Sequence, residues 1–353
     1  MTVYRCVREV RYPKWDPDKL ENSPVTVELL KFAEKKFLRK VAIILVLECL
    51  AMVSCKLGWP RFGINVVAPT RQMKSYISDE LMMIFDKIFW LDIRSDFTTH
   101  SLQKYRDIIR NNVCIVVNDG TILLASLTKR QKNRLFGALA ELFSDGRYVN
   151  QNFKGIVVDL EGQVTLIFNL TSEAFKNYKD RMLGLTFLER GVTVHFVLSE
   201  HEKKIWVRKQ EKTKGMKFCR KIKLDDIETD VEEIPSIYLS WIELQAKKWS
   251  HLSLRSFIGC QDVIKAIVRA HAALNNRKHL CLDDLYFVCL VRPYLINPFN
   301  PLEGRIVRLK AQGLSNAEIC RRLGKTRGYS TQIERVSEKA RLRGILPLEN
   351  ENN

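Results

Sequence analysis

The stretch "GINVVAPTRQMKS", residues 63–75, carries residue types that bind phosphate: an apolar run, a short turn, then Lys74 and Ser75 opening a helical pattern. In a phosphate-binding loop, backbone N–H groups and a helix N-terminus surround the phosphates. The lysine reaches the β- and γ-phosphates, and the Ser/Thr hydroxyl takes a place on Mg2+. The general pattern G-x-x-x-x-G-K-[ST] has glycines where this chain has Ala68 and Met73. Ala68 is a small change. Met73 is the larger departure, because glycine serves where the backbone must come close to a ligand or take an unusual φ. On these residues alone, a nucleotide site and an ordinary strand-to-helix turn both stand.

Three more positions follow in order. "CIVVND" ends an apolar run with Asn118 and Asp119, where an acid can hold Mg2+. The usual pair is Asp-Glu, one acid for the metal and one to polarise the attacking water; this chain offers one acid, and an Asn-Asp-Gly turn is the plainer alternative. Asn169 ends "VTLIFN", where a polar side chain can hold the attacking water near the γ-phosphate or simply make a turn. Arg190 stands immediately before "GVTVHFVLS". An arginine there can reach a neighbouring subunit's phosphate as an arginine finger does, or remain a surface residue.

The elements that must position these residues alternate along the chain. Residues 25–55 read as two helices broken by the basic "KKFLRK" at 35–40, and "RFGINVVAP" as a buried strand. "SYISDELMMIFDKIF" reads as an amphipathic helix, 112–119 as a second strand, and the segment to about Phe143 as a helix. A hairpin-like region spans 147–165, "QVTLIFN" is a third strand, and 191–199 a fourth. Strands alternating with helices predict an α/β domain with a largely parallel sheet. The basic, poorly periodic segment 203–223 reads as a loop or connecting ribbon. The pattern from 234 to 293 is helical throughout, and three prolines in "RPYLINPFNPLEG" mark a linker. The expected division is a tail over 1–30, an α/β core over 31–233, a helical domain over 234–292, a linker over 293–302 and a C-terminal unit over 303–347.

In that unit, "GLSNAEICRRLG" places Ser315 as an N-cap with Glu318 completing a capping box. Ile319 and Leu323 supply an apolar face, and Gly324 ends the helix. The unit resembles a helix-turn-helix of winged type, in which one helix lies in the DNA major groove and basic residues meet phosphates. Arg321, Arg322, Lys325, Arg327 and Arg335 are its candidate DNA contacts. A small protein-docking bundle with a solvated basic face is the alternative.

Composition bounds these readings. The 353 residues include 58 Lys+Arg against 40 Asp+Glu, a net charge of +18. Such an excess favours a polyanionic partner, nucleic acid before an anionic membrane surface, over a merely solvated basic surface. Nine cysteines without a C-x-x-C pair argue for reduced thiols in a cytoplasmic setting, with no disulfide framework or zinc site. The longest apolar run, 41–55, is too short to span a bilayer and carries Glu48. No basic amphipathic helix points to a membrane.

Taken in order, these motifs resemble the AAA+ ATPases, and within them the minichromosome maintenance (MCM) helicase family, over roughly residues 35–292 and the tail. That family's phosphate loop already replaces the second glycine with alanine, and its arginine-finger segment is similar to "LTFLERGVTVHFVLS". The stretch "LFGALAELFSDGRYVNQNFKGIVVDLEGQVTLIFN" is similar to its path through a hairpin to the sensor strand; Lys154 matches the hairpin lysine that faces DNA. "SLRSFIGCQDVIKAIVRAHAALNNRKHLCLDDL" is similar to its helical lid, with Arg255 at the sensor-2 position over the γ-phosphate. The resemblance implies ATP and Mg2+ as cofactors, DNA as partner, a hexameric ring as assembly, and no counterpart of the family's N-terminal domain. Two functions are expected from it: a ring-forming DNA translocase or helicase acting in replication, or a weakly or non-hydrolysing DNA-binding initiator, loader or regulator.

Overall fold

The computed structural model describes residues 17–70, 72–93, 98–151, 157–184, 191–250, 256–295 and 301–342. Two helices open it, α1 (Pro24–Lys36) and α2 (Arg39–Ser54), with the chain extended at Phe37 and Leu38 between them. From Val41 to Ser54 every residue of α2 is buried, Glu48 included. A helix apolar all round is a core helix, and α2 packs beneath the sheet.

That sheet has five strands: β1 (Gly63–Ala68), β2 (Trp90–Ile93), β3 (Val113–Val117), β6 (Val164–Thr171) and β7 (Gly191–His195). Their order is β2-β3-β6-β1-β7, and every pairing is parallel. The expected α/β class with a parallel sheet is therefore observed. Strand β2 had no counterpart in the sequence reading. It has four residues, lies at the sheet edge and alternates half-buried with buried positions, so it lacks the continuous apolar run of the central strands. A separate antiparallel hairpin joins β4 (Arg147–Gln151) to β5 (Val157–Glu161), within the region expected to be hairpin-like.

Both faces of the sheet are covered, as a parallel sheet requires. Ile64, Val66, Cys114, Val116 and Ile167 face α1, α2 and the helices after β7, in one continuous apolar cluster. Val67, Ile115, Val117, Leu166 and Phe168 face α4 (Gly120–Ser126), α5 (Lys129–Ser144) and α6 (Ser172–Gly184) in a second. This strict period of two decides where each polar strand-end residue points.

The segment expected as a loop, 203–223, begins instead inside a helix, α7 (Glu200–Lys212). The Ser199–Glu202 capping box starts it, and Lys209 Nζ donates to the carbonyls of Glu34 (2.5 Å) and Phe37 (2.9 Å) where α1 ends. No residue of α7 is fully buried. Trp206 packs half-buried against the main apolar cluster and the Tyr76 ring, and the remaining contacts are caps and charged groups, which leave little apolar period to read.

Three helices follow: α8 (Ser236–Ser250), α9 (Phe257–Leu274) and α10 (Leu282–Leu295). Trp241, Ile264, Ile267, Phe287 and Val291 join the same apolar cluster as α2, and α10 continues through Pro293. The last helices, α11 (Pro301–Ala311), α12 (Asn316–Arg322) and α13 (Ser330–Leu342), hold a small core of their own around Ile306, Ile319, Ile333 and Val336. Among the described residues, no helix is long and apolar enough to cross a membrane.

Candidate functional site

Strand β1 delivers the chain at Ala68 into a turn, and α3 (Lys74–Ile84) starts at Lys74. Met73 is the N-cap of α3, with φ 65° and ψ −2°. That is the left-handed region in which glycine is at ease and other residues cost about 1–2 kcal/mol. The loop thus keeps a glycine's backbone conformation with a methionine in it. Burial accounts for its retention: Met73 is 7% exposed and belongs to the main apolar cluster. Gln72, also buried, accepts the backbone N–H of Leu198 at 2.7 Å and ties the turn to the chain after β7.

Lys74 is half-buried. Its ammonium donates to the carbonyls of Ala68 (3.0 Å) and Pro69 (2.9 Å), folding back over the loop. Burial pushes this ammonium below the ordinary lysine value, and the Asp119 carboxylate nearby pulls it partly back. Ser75 is exposed and donates its hydroxyl to the backbone oxygen of Asn118 at 3.2 Å.

Asn118 and Asp119 follow the last residue of β3. Asp119 is exposed and caps α4, accepting the N–H of Ile122 at 3.0 Å. Helix α4 lies so close to β6 that a Cβ at Gly120 would sit 2.6 Å from the Phe168 ring. Glycine at 120 is therefore required for Asp119 to turn the chain there.

Because β6 is inserted between β1 and β3, Asn169 pairs in register with Val66 and lies beside the end of β3. Strand alternation turns it toward α3. Its amide nitrogen donates to Ser78 Oγ at 3.0 Å and lies 3.4 Å from Asn118 Oδ1. Asn169 is 1% exposed, and its own Oδ1 has no hydrogen-bond partner. Leaving a buried amide oxygen unpaired costs about 1–3 kcal/mol, and orphaned groups of this kind mark strain or a ligand's position.

Behind Asn169, Ser78 Oγ donates onward to Glu48, 3.4 and 3.5 Å from its two carboxyl oxygens. Burial pushes the Glu48 carboxyl well above the ordinary range, and the Ser78 hydroxyl offsets part of that rise. At the mouth, Asn118 Nδ2 donates to Asp79 Oδ1 at 3.1 Å. Sequence reasoning did not single out Ser78 or Asp79. Their signal was available in the spacing, since Ser75, Ser78 and Asp79 recur at i, i+3 and i+4 along α3.

Lys74, Ser75, Asp119 and Asn169 therefore converge at the C-terminal edge of the sheet, where ligands of open α/β sheets bind. Lys154, Arg190 and Arg255 lie outside the described residues. The donors present suit Mg2+: hydroxyl, carboxylate and amide oxygens, with no cluster of three His, Cys, Asp or Glu among the described residues. Mg2+ takes one or two carboxylates and completes its shell with waters and substrate phosphates.

In the C-terminal unit the Ser315–Glu318 capping box is formed, and Gly324 follows α12 with φ 62°. Arg321, Arg322, Lys325, Arg327 and Arg335 are all exposed. Lys325 Nζ stands 5.7 Å from the centre of the Tyr329 ring. The described part of this unit is helical, and a wing after α13 would fall on residues 343–353, outside those described.

No protein-family model matches the chain, and no curated protein matches it.

Proposed function

We propose that this chain is an ATP-dependent, ring-forming DNA translocase or helicase with an MCM-like AAA+ core, a helical lid and a C-terminal winged helix-turn-helix. The observation that carries the reading is Asn169: a buried amide with an unpartnered oxygen, between the lysine-bearing turn after β1 and the acid after β3. In this reading Lys74 leaves the Ala68 and Pro69 carbonyls to meet the β- and γ-phosphates. Ser75 and Asp119 face the metal, and Asn169 orients the attacking water. Mg2+ supplies charge to the phosphate oxygens as the phosphoryl group transfers.

Arg190 from a neighbouring subunit and Arg255 in the lid complete the charge around the γ-phosphate, in a hexameric ring. Lys154 grips DNA, and the exposed arginines and lysines of 321–335 anchor the chain to duplex phosphates. The test is ATP turnover with Mg2+, with and without DNA, in wild type and Lys74→Ala. DNA-stimulated turnover abolished in the variant is expected; equal turnover in both would overturn the reading.

A second reading has its own observation. Asn118 replaces an acid, and the αL turn holds Met73 where a glycine would leave room. In this reading both slow hydrolysis, which a DNA-binding initiator, loader or regulator that uses ATP as an assembly switch would tolerate. Nucleotide-dependent oligomerisation without turnover distinguishes it.

A further inference from the structure

We propose that Asp79 supplies a second carboxylate to the nucleotide's divalent ion, replacing the acid that is missing at Asn118; this rests on the nucleotide reading above. Ser75 and Asp79 are four residues apart in α3, so they share one helix face. Asn118 touches both of them, its backbone oxygen accepting from Ser75 Oγ at 3.2 Å and its Nδ2 donating to Asp79 Oδ1 at 3.1 Å. The amide is thus turned with its nitrogen toward Asp79 and its oxygen toward Asn169, 3.4 Å away. An amide carries no charge to offer a cation, but the carboxylate it points at does.

The position of the charge has moved by one side chain, from the end of β3 to the second turn of α3. Asp119 is the first carboxylate at this mouth. One of its oxygens caps α4 at Ile122 N, and its charge acts on Lys74. Asp79 is exposed at the same mouth. Two carboxylates, the Ser75 hydroxyl and phosphate oxygens give a donor set that Mg2+ accepts.

Asn169, whose amide nitrogen lies 3.4 Å from Asn118 Oδ1, is 1% exposed, and its own Oδ1 has no hydrogen-bond partner. It marks the same cleft as one built for a ligand that brings hydrogen bonds or water. The arrangement also explains why a chain with Asn at 118 keeps both Lys74 and Ser75. The negative charge that balances them was relocated rather than lost.

The test measures Mn2+ affinity by electron paramagnetic resonance, on the full chain with a non-hydrolysable ATP analogue. Wild type is compared with Asp79→Asn and with the double variant Asp79→Asn/Asn118→Asp. Asp79→Asn is isosteric at an exposed site and is expected to weaken Mn2+ roughly 10- to 100-fold, the range for losing a supporting metal-site group. Returning the acid to 118 in the double variant is expected to recover most of that loss. Metal affinity in Asp79→Asn equal to wild type would overturn the inference while leaving the nucleotide reading intact. Failure of the analogue to bind wild type at any metal concentration would overturn both.

Discussion

The hydroxyl of Ser75 donates to the backbone oxygen of Asn118 at 3.2 Å, joining the first turn of α3 to the end of β3. Those two segments are 43 residues apart in the chain, and this contact brings Lys74 and Ser75 to the strand end that carries Asp119. Asn169, from the strand between β1 and β3, closes the third side.

Asn169→Ala should separate binding from chemistry. The variant removes the amide that would orient water, and misplacing a reacting group costs about 100-fold in rate. ATP affinity is expected to stay within a few-fold of wild type while kcat falls by about that factor. Steady-state turnover and equilibrium binding on the same preparations decide it; a parallel loss of affinity contradicts the assignment.

At Met73 the backbone conformation and the side chain pull in opposite directions. Met73→Ala loses the buried side chain and keeps a φ of 65°. Met73→Gly loses the side chain too, but relieves about 1 kcal/mol of left-handed strain. Glycine is therefore expected to be the more stable variant by about 1 kcal/mol, the reverse of the usual order inside a helix. Urea midpoints of the two variants measure the difference. Alanine more stable than glycine would mean that the turn relaxes out of the left-handed region.

Glu48 sets a pH dependence. Its carboxyl keeps its proton in the fold well above the ordinary range because burial disfavours the charge. The unfolded chain releases that proton near pH 4.3. Above this pH the native state therefore binds more protons than the unfolded state, and stability falls as pH rises toward the folded value. Glu48→Gln removes that slope. Wild type and variant should differ little near pH 4, and the variant should gain in Tm over wild type as pH rises to neutrality. Parallel Tm curves from pH 4 to 7 would show Glu48 ionised in the fold.

Asp284 carries the opposite sign. Burial would raise its carboxyl, but His271 at 2.6 Å and Arg277 at 2.6 and 3.1 Å hold it below the ordinary range. Its contribution is present above the unfolded value and is lost as pH falls through the folded one. Removing one partner of a buried pair strands the other, at a cost of about 3–5 kcal/mol. Asp284→Asn should lower stability by about that amount in urea unfolding at neutral pH; a loss near zero contradicts the pairing.

The C-terminal unit predicts a salt signature. Arg321 and Arg327 are exposed. If each meets a phosphate, Arg321→Ala/Arg327→Ala should reduce the log–log dependence of DNA affinity on salt by about 1 per contact, without changing base preference. An unchanged slope would assign these residues to another face.

The sheet's central strands and the helices on either side were legible because they are long apolar runs with a clear period. Val113–Val117 and Val164–Thr171 are cases in point. Strand β2 was not, because four half-buried edge residues resemble any short loop. Helix α7 reads as a loop because Lys209, the Ser199 cap and a half-buried Trp206 hold it, with no fully buried residue to give a clear period. At the site, Lys74, Ser75, Asp119 and Asn169 could be named from motif order. The i, i+3, i+4 spacing groups Ser75, Ser78 and Asp79 on one face of α3, but what that face meets is not local: Glu48 lies 30 residues from Ser78, and Asn118 lies 39 from Asp79. The insertion of β6 between β1 and β3 is likewise a long-range choice that no local pattern carries.

The central claim is that the cleft between Lys74 and Asn169 holds a nucleoside triphosphate. The most direct measurement is an equilibrium binding isotherm for ATP with Mg2+, on wild type and Lys74→Ala. Hydrogen bonds to a charged group contribute about 1.5–3 kcal/mol, so Lys74→Ala is expected to weaken ATP roughly 10- to 100-fold. Identical isotherms for the two proteins, or no binding by either, would contradict the account.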